Sequence, residues 1–77
     1  MGTWIVMPKL GRRMKAGTVG EWYARPGERV SRGQTLLEVI TDKVTHEIPS
    51  PVDGTLVRIE RPSGQTVPIG ARLAYLA

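Results

Sequence analysis

Short runs of apolar and β-branched residues recur along the chain, and glycine or proline separates one run from the next. The runs read TWIVM, TVGEWYA, TLLEVIT, VTHEI, TLVRIE and RLAYL. Runs of this length, divided by turn residues at regular spacing, are typical of the strands of a β-sandwich or barrel. No twelve-residue window both lacks Gly and Pro and carries the 3.6-residue apolar period of a helix. The pattern therefore predicts an all-β fold without helices.

The two halves of the chain repeat each other with a displacement of 37 residues, so that residues 17–39 align over 54–76 without a gap. The matched pairs are Gly17 and Gly54, Thr18 and Thr55, Val19 and Leu56, Gly27 and Gly64, Val30 and Val67, Gly33 and Gly70, Leu36 and Leu73, and Val39 and Leu76. Matched glycines indicate that both halves need the same turns, with positive φ where a side chain costs energy. We also expect Met7-Pro8 to match Ile48-Pro49, displaced by a further four residues. Two such halves should pack together with pseudo-twofold symmetry.

Composition limits where stability and chemistry can come from. The 77 residues are enough for one small domain, spanning residues 1–77, with a modest core. There is no cysteine, and His46 is the single histidine, which excludes disulfides, thiolate zinc sites and multi-histidine metal sites. No stretch approaches the roughly 20 apolar residues that span a bilayer, and the N-terminus is not ordered like a secretory signal. We therefore expect a soluble, unprocessed, cytoplasmic domain with no metal and no membrane partner.

The net charge of +4 comes from scattered basic residues with one dense cluster. That cluster consists of Lys9, Arg12, Arg13 and Lys15. A solvated surface is the ordinary reading of such a balance, and its rival is a small barrel that binds nucleic acid. A nucleic-acid module should interleave basic and aromatic residues along one groove. The four aromatics, Trp4, Trp22, Tyr23 and Tyr75, lie in no basic–aromatic motif, so we expect no nucleic-acid partner.

The dipeptide Asp42-Lys43 separates two strand-like runs, Leu36 to Thr41 and Val44 to Ile48. A two-residue spacing between strands predicts a tight hairpin, and aspartate suits a turn because its side chain can bond nearby backbone N–H groups. A lysine there would project into solvent as a flexible arm whose amine can form an amide. Hairpin geometry alone fits an ordinary surface lysine more often than a modified one.

The segment around Lys43 resembles the lipoylation motif of lipoyl domains, whose core reads Asp-Lys-Ala or Asp-Lys-Val at a hairpin tip. The resemblance extends over essentially the whole chain, at Met7-Pro8, Met14, Gly17-Thr18, Trp22, Gly27, Val30, Gly33, Leu36, Glu38, Val39, Glu47, Pro51 and Gly54. It implies a flattened barrel of two four-stranded antiparallel sheets. It also implies that Lys43 carries covalent lipoic acid, and that Thr41 and Asp42 lie in the turn read by a lipoate-protein ligase. No catalytic residue is expected in the domain.

The same resemblance implies a swinging-arm carrier of a dihydrolipoamide acyltransferase, monomeric in isolation, within a 2-oxo acid dehydrogenase complex. The implied partners are a thiamine-diphosphate-dependent 2-oxo acid decarboxylase, the acyltransferase core and dihydrolipoamide dehydrogenase. The resemblance does not distinguish among the complexes for pyruvate, 2-oxoglutarate, branched-chain 2-oxo acids and acetoin. In the family, the loop holding the basic cluster lies near the lipoylated hairpin. Two departures are that Ile40 stands where many members carry Glu, and that the chain is basic where many are acidic.

A second lysine motif, Met14-Lys15-Ala16, resembles the Met-Lys-Met signature of the related biotinyl domains. The biotinylated lysine of that family lies at the central hairpin, between the two repeats. Lys15 instead precedes a predicted strand, whereas Lys43 holds the central place and has no flanking methionines. The resemblance therefore favours lipoylation of Lys43 over biotinylation.

Overall fold

The computed structural model describes residues 2–42 and 44–77 as eight strands with no helix among them. The strands are β1 (Thr3–Val6), β2 (Ala16–Trp22), β3 (Arg29–Val30), β4 (Thr35–Thr41), β5 (Val44–Pro49), β6 (Gly54–Ile59), β7 (Thr66–Pro68) and β8 (Arg72–Leu76). They form two antiparallel four-stranded sheets, in the orders β1-β8-β6-β3 and β5-β4-β2-β7. The predicted all-β class with two four-stranded sheets is confirmed.

The six apolar runs of the sequence correspond to the six longer strands. Two of them, TLLEVIT and RLAYL, coincide with β4 and β8 to the residue. The pattern did not predict β3 and β7 because two or three residues are too short to show alternation. These short strands lie at equivalent edges, β3 beside β6 and β7 beside β2. Short edge strands limit the unpaired backbone that a sheet edge exposes.

Backbone hydrogen bonds repeat in the two halves with the predicted displacement of 37 residues. Gly27 N–H donates to the Leu56 carbonyl at 2.7 Å, and Gly64 N–H donates to the Val19 carbonyl at 2.8 Å. Two of the three matched glycine pairs have positive φ, at 92° and 95° for Gly27 and Gly64, and at 88° for both Gly33 and Gly70. The third pair, Gly17 and Gly54, lies in β2 and β6 without positive φ, so the expectation is wrong for that pair. The repeat and its positive-φ glycines are therefore confirmed as a pseudo-twofold structure.

The expected match between Met7-Pro8 and Ile48-Pro49 is wrong by two residues. Gly33 N–H donates to the Ser50 carbonyl at 2.8 Å, and its counterpart Gly70 N–H donates to the Met7 carbonyl at 2.9 Å. Met7 therefore corresponds to Ser50, a displacement of 43 residues (50 minus 7). The shared proline is the one that follows each of these residues in the sequence.

The extra displacement comes from one connection that is longer in the first half. Ten residue steps separate Met7 from Gly17, but four separate Ser50 from Gly54, so the β1–β2 loop is longer by six residues (10 minus 4). This insertion is where the pseudo-twofold symmetry of the backbone breaks.

The core between the sheets is built from paired positions of the two repeats. The buried pairs are Val19 and Leu56, Val30 and Val67, Leu36 and Leu73, Leu37 and Ala74, Val39 and Leu76, and Ile5 and Ile48. Each buried Val, Leu or Ile side chain stabilises the fold by about 1.5–3 kcal/mol relative to an exposed one. Ser50 is also buried, and its hydroxyl donates to the Val52 carbonyl at 2.6 Å, so its polar group is satisfied.

Candidate functional site

The β4–β5 hairpin ends in a tight turn. Thr41 and Val44 are the last paired residues, and the sequence between them is Asp42-Lys43. Asp42 is exposed and has a φ of 29°, a region that aspartate tolerates better than most residues and that tight hairpin turns require. Lys43, the predicted attachment residue, lies outside the described residues. Its two neighbours in the sequence therefore define the tip.

Side-chain contacts brace the base of this turn. The Thr41 hydroxyl lies 3.3 Å from Nε2 of His46, on the facing strand, and 3.5 Å from the Val44 carbonyl. Thr41 and His46 are both half-buried. His46 is thus a half-exposed residue of the second hairpin strand.

Apolar side chains are accessible on both faces of the hairpin beside the tip. Ile40 is 41% exposed on the outer face, and Val44, which pairs with Thr41, is 51% exposed on the opposite face. Ile40 pairs with Thr18 on one side and Thr45 on the other, so a row of neutral side chains crosses the sheet here. An enzyme approaching the tip would meet apolar and hydroxyl groups on this face.

The loop between β1 and β2 lies against the hairpin tip, as the resemblance implies. Together they enclose a groove of about 380 Å³. Its walls are Leu10, Gly11, Arg13, Met14, Lys15 and Ala16 on the loop side, and Thr41 and Asp42 on the hairpin side. Part of the basic cluster is therefore brought to the site by the fold, beside the two residues that precede Lys43.

Contacts within this loop fix its shape. Met14 N–H donates to the Gly11 carbonyl at 3.2 Å, and Leu10 N–H approaches the Met14 sulfur at 3.1 Å. Gly17 permits this packing, since a Cβ there would lie 2.9 Å from Sδ of Met7 and 3.0 Å from the Met14 methyl. Met7 and Met14 thus pack against Gly17, where a side chain would collide with both.

Lys15, the lysine of the biotinyl-like motif, is placed differently from the hairpin tip. It is exposed and directly precedes β2, and its carbonyl accepts the Ile69 N–H at 3.1 Å. This position agrees with the sequence interpretation that Lys15 lies before a strand and not between the two repeats.

A second surface feature was missed by sequence reasoning. Trp4 and Tyr75 pack with ring centroids 4.9 Å apart, and the Arg72 guanidinium lies 4.4 Å from the Trp4 centroid. The Arg58 guanidinium lies 5.3 Å from the same ring. Three neighbouring strands supply these residues, so no linear motif could reveal them. The aromatics lie in no basic–aromatic motif along the sequence, but the fold brings Trp4 and Tyr75 beside two arginines.

On the other sheet, Tyr23 and Glu38 form a short hydrogen bond. The Tyr23 hydroxyl donates to the Glu38 carboxylate at 2.5 Å. This bond, followed by desolvation and by the charge of Glu38, raises the pKa of Tyr23 to about 12. The Glu38 side chain is therefore held on the outer face of β4.

Among residues 2–42 and 44–77, no group of three or more His, Cys, Asp or Glu side chains could hold a metal ion. In the same residues, no helix is long and apolar enough to cross a membrane.

Comparison with known proteins gives consistent matches. A biotin/lipoyl family model, described as "Biotin-requiring enzyme", matches residues 3–76. The chain is 47% identical over 72 residues to the dihydrolipoyllysine-residue acetyltransferase component of the pyruvate dehydrogenase complex of Mycobacterium tuberculosis, covering 94% of the chain and 13% of that protein. It is 45% identical over 73 residues to the succinyltransferase component of the 2-oxoglutarate dehydrogenase complex of Bartonella vinsonii, covering 95% and 18%.

A solved structure is also similar. The lipoyl domain of the 2-oxoglutarate dehydrogenase complex from Azotobacter vinelandii superposes with a TM-score of 0.81 at 34% identity, covering 96% of this chain and 94% of that domain. The chain thus spans less than a fifth of the curated relatives, but nearly the whole of the solved domain.

Proposed function

Since the chain belongs to the biotin/lipoyl family, we propose that it is a lipoyl carrier domain and that Lys43 is its attachment residue for lipoic acid. The observation that carries the proposal is the placement of the Asp-Lys-Val sequence at an exposed tight hairpin midway between two structural repeats. A modifying enzyme must reach the lysine from several sides. A hairpin tip allows this because only two residues, Asp42 and Lys43, connect the paired strands.

The residues around the tip fit a covalently attached lipoyl group. Asp42 and Val44 are exposed, and Thr41 ties the base of the turn to His46. A rigid base keeps the origin of the arm fixed while the arm itself moves. When attached, the lipoyl group supplies a disulfide that can accept an acyl group together with two electrons and deliver the acyl group to coenzyme A. The domain contributes tethering, which makes each encounter with a partner intramolecular.

Thr41 and Asp42 are proposed as the part of the turn that a lipoate-protein ligase recognises. Both line the groove beside the tip, and the φ of 29° at Asp42 gives this turn a distinctive backbone shape. The neutral face around Ile40 offers the ligase apolar contact in place of a carboxylate.

We propose that the parent protein is a dihydrolipoamide acyltransferase of a 2-oxo acid dehydrogenase complex in the cytoplasm. Relatives of this chain are components of such complexes by name. The proposed partners are a thiamine-diphosphate-dependent decarboxylase, the acyltransferase core and dihydrolipoamide dehydrogenase. The basic loop beside the tip would meet the decarboxylase, because it adjoins the arm that must enter that enzyme.

Lipoylation in vitro followed by peptide mapping tests the proposal. The chain has three lysines, Lys9, Lys15 and Lys43, so the modified peptide identifies the site. We expect a lipoate ligase to modify Lys43 alone. Label on Lys9 or Lys15, with Lys43 unmodified, would disprove it.

Lys43→Arg is the matched control for this experiment. It should fold like the parent and accept no lipoate, because a guanidinium cannot replace the amine in forming the amide. A parallel reaction with a biotin ligase separates the two branches of the family. Biotinylation of Lys43 in preference to lipoylation would assign the chain to the other branch.

A further inference from the structure

The groove beside the hairpin tip is built in part by the insertion that interrupts the repeat between the two halves. Its loop side belongs to the β1–β2 connection, which is six residues longer (10 minus 4) than its counterpart between β5 and β6. Resting on the proposed function, we propose that this groove binds the dithiolane end of the lipoyl group, so that the arm has a docked state on its own domain.

Chain connectivity brings the attachment residue to this groove. Thr41 and Asp42 form its hairpin wall, and Lys43 follows Asp42 in the sequence. The arm therefore begins one peptide bond from the wall of the site. The six-residue insertion adds a wall at this end of the domain, next to the hairpin.

The groove combines an apolar strip with charged and polar walls. Leu10, Met14 and Ala16 provide an apolar surface, and the Met14 thioether is polarisable, which suits contact with other sulfur atoms. The volume of about 380 Å³ falls within the range of roughly 300–1,000 Å³ that is usual for small-ligand sites. Arg13 and Lys15 also line the groove. A neutral ring needs no countercharge from them, so they remain available to a docking enzyme.

The site is preformed, which lowers the entropic cost of binding. The Gly11 carbonyl and the Met14 sulfur accept hydrogen bonds within the loop, and Ile69 holds the end of the loop through the Lys15 carbonyl. The Met14 side chain packs over the backbone of Gly17.

Docking is expected to be reversible. Each methylene group of the arm that leaves water on docking favours the docked state about fourfold. The ordering of the arm's rotatable bonds opposes this gain. A partner that covers the β1–β2 loop can therefore displace the ring from the groove and receive it.

Backbone amide NMR of the chain before and after lipoylation tests the inference. In the parent, we expect the amides of the groove-lining loop residues, Leu10 to Ala16, to shift on lipoylation together with the residues at the tip. Ala16→Leu fills the groove from an exposed position at the start of β2, and should abolish the loop shifts while the tip shifts remain. Thr45→Leu is the control, because it adds the same side chain at an exposed hairpin position outside the groove, and it should keep the parent pattern.

Titration of the unmodified chain with free lipoamide separates this inference from the carrier proposal. Lipoamide should shift the same loop amides in the parent and in Thr45→Leu, but not in Ala16→Leu. Shifts confined to the tip after lipoylation, with no response to lipoamide, would overturn the docked state and leave the carrier function standing. Failure of Lys43 to accept lipoate, with loop shifts on lipoamide addition, would overturn the carrier function and leave the groove as a binding site.

Discussion

At single residues, the clearest constraint is backbone conformation at the repeated glycines. Gly33 and Gly70 share a φ of 88°, and a Cβ at either position would meet no atom within 4 Å. A side chain there is therefore disfavoured by the backbone and not by collision. We expect Gly33→Val or Gly70→Val to lower the free energy of unfolding by about 1–3 kcal/mol, measured by chemical denaturation. Gly11→Val is the control, because Gly11 has open space around it and no positive φ, and this variant should change the free energy of unfolding little. Equal losses of stability at all three sites would contradict the explanation.

Tyr23 gives a second prediction at this scale, concerning pH. The bond to Glu38 raises the pKa of Tyr23 from 10.0 to about 12 in the folded protein. A raised pKa stabilises the fold below pH 10, and this contribution is lost as the pH rises through 12. The difference between the absorbance titrations of the parent and of Tyr23→Phe isolates the ionisation of the Tyr23 phenol. Glu38→Gln should bring its pKa back toward 10, and an unchanged titration in that variant would rule out Glu38 as the cause.

At the scale of strands, the edge strand β1 depends on side chains from its neighbours. Trp4 of β1 contacts Tyr75 of β8, and the guanidinium of Arg72 lies 4.4 Å from its ring centroid. An exposed cation–π contact of this kind contributes about 0.5–1 kcal/mol. Arg72→Ala should lower stability by that amount and speed hydrogen exchange of the β1 amides. Arg29→Ala removes an exposed arginine from β3 instead, and it should leave β1 unaffected.

Strands also show what the sequence could predict. The hairpin of β4 and β5 and the four turn glycines were predictable because their signals can be read directly along the sequence. These signals are a two-residue spacing between strands and a glycine that recurs in both halves. The match of β1 with β5 was misplaced because a six-residue insertion follows Met7 and shifts the alignment. The groove and the contacts of Trp4 with Tyr75 and two arginines could not be predicted, since each depends on side chains that only folding brings together. The described residues place the tip but not the predicted attachment residue Lys43.

Across the whole molecule, the fold separates the chain ends from the proposed site. Thr3 pairs with Leu76, so the two ends lie together, and β1 leads from them to the loop that lines the groove. The hairpin tip lies against the far end of that loop. A tether attached at the chain ends would thus leave the tip, the groove and the basic cluster free to face a partner.

The basic cluster should act on the rate of encounter with the decarboxylase that we propose as a partner. Charges near a docking surface steer association more than they raise final affinity, and at physiological salt they are screened beyond about 8 Å. We expect Arg12→Glu plus Arg13→Glu to slow reductive acylation by the cognate decarboxylase at low salt, with stability and lipoylation nearly unchanged. The control, Arg25→Glu plus Arg29→Glu, makes the same change in net charge, from +4 to 0 (two changes of −2), at exposed sites outside the groove. The test measures acylation rates of all three proteins at two salt concentrations. A loss of rate that is specific to the Arg12 and Arg13 variant and shrinks as salt rises supports steering. Equal rates for all three proteins would show that the cluster is only a solvated surface.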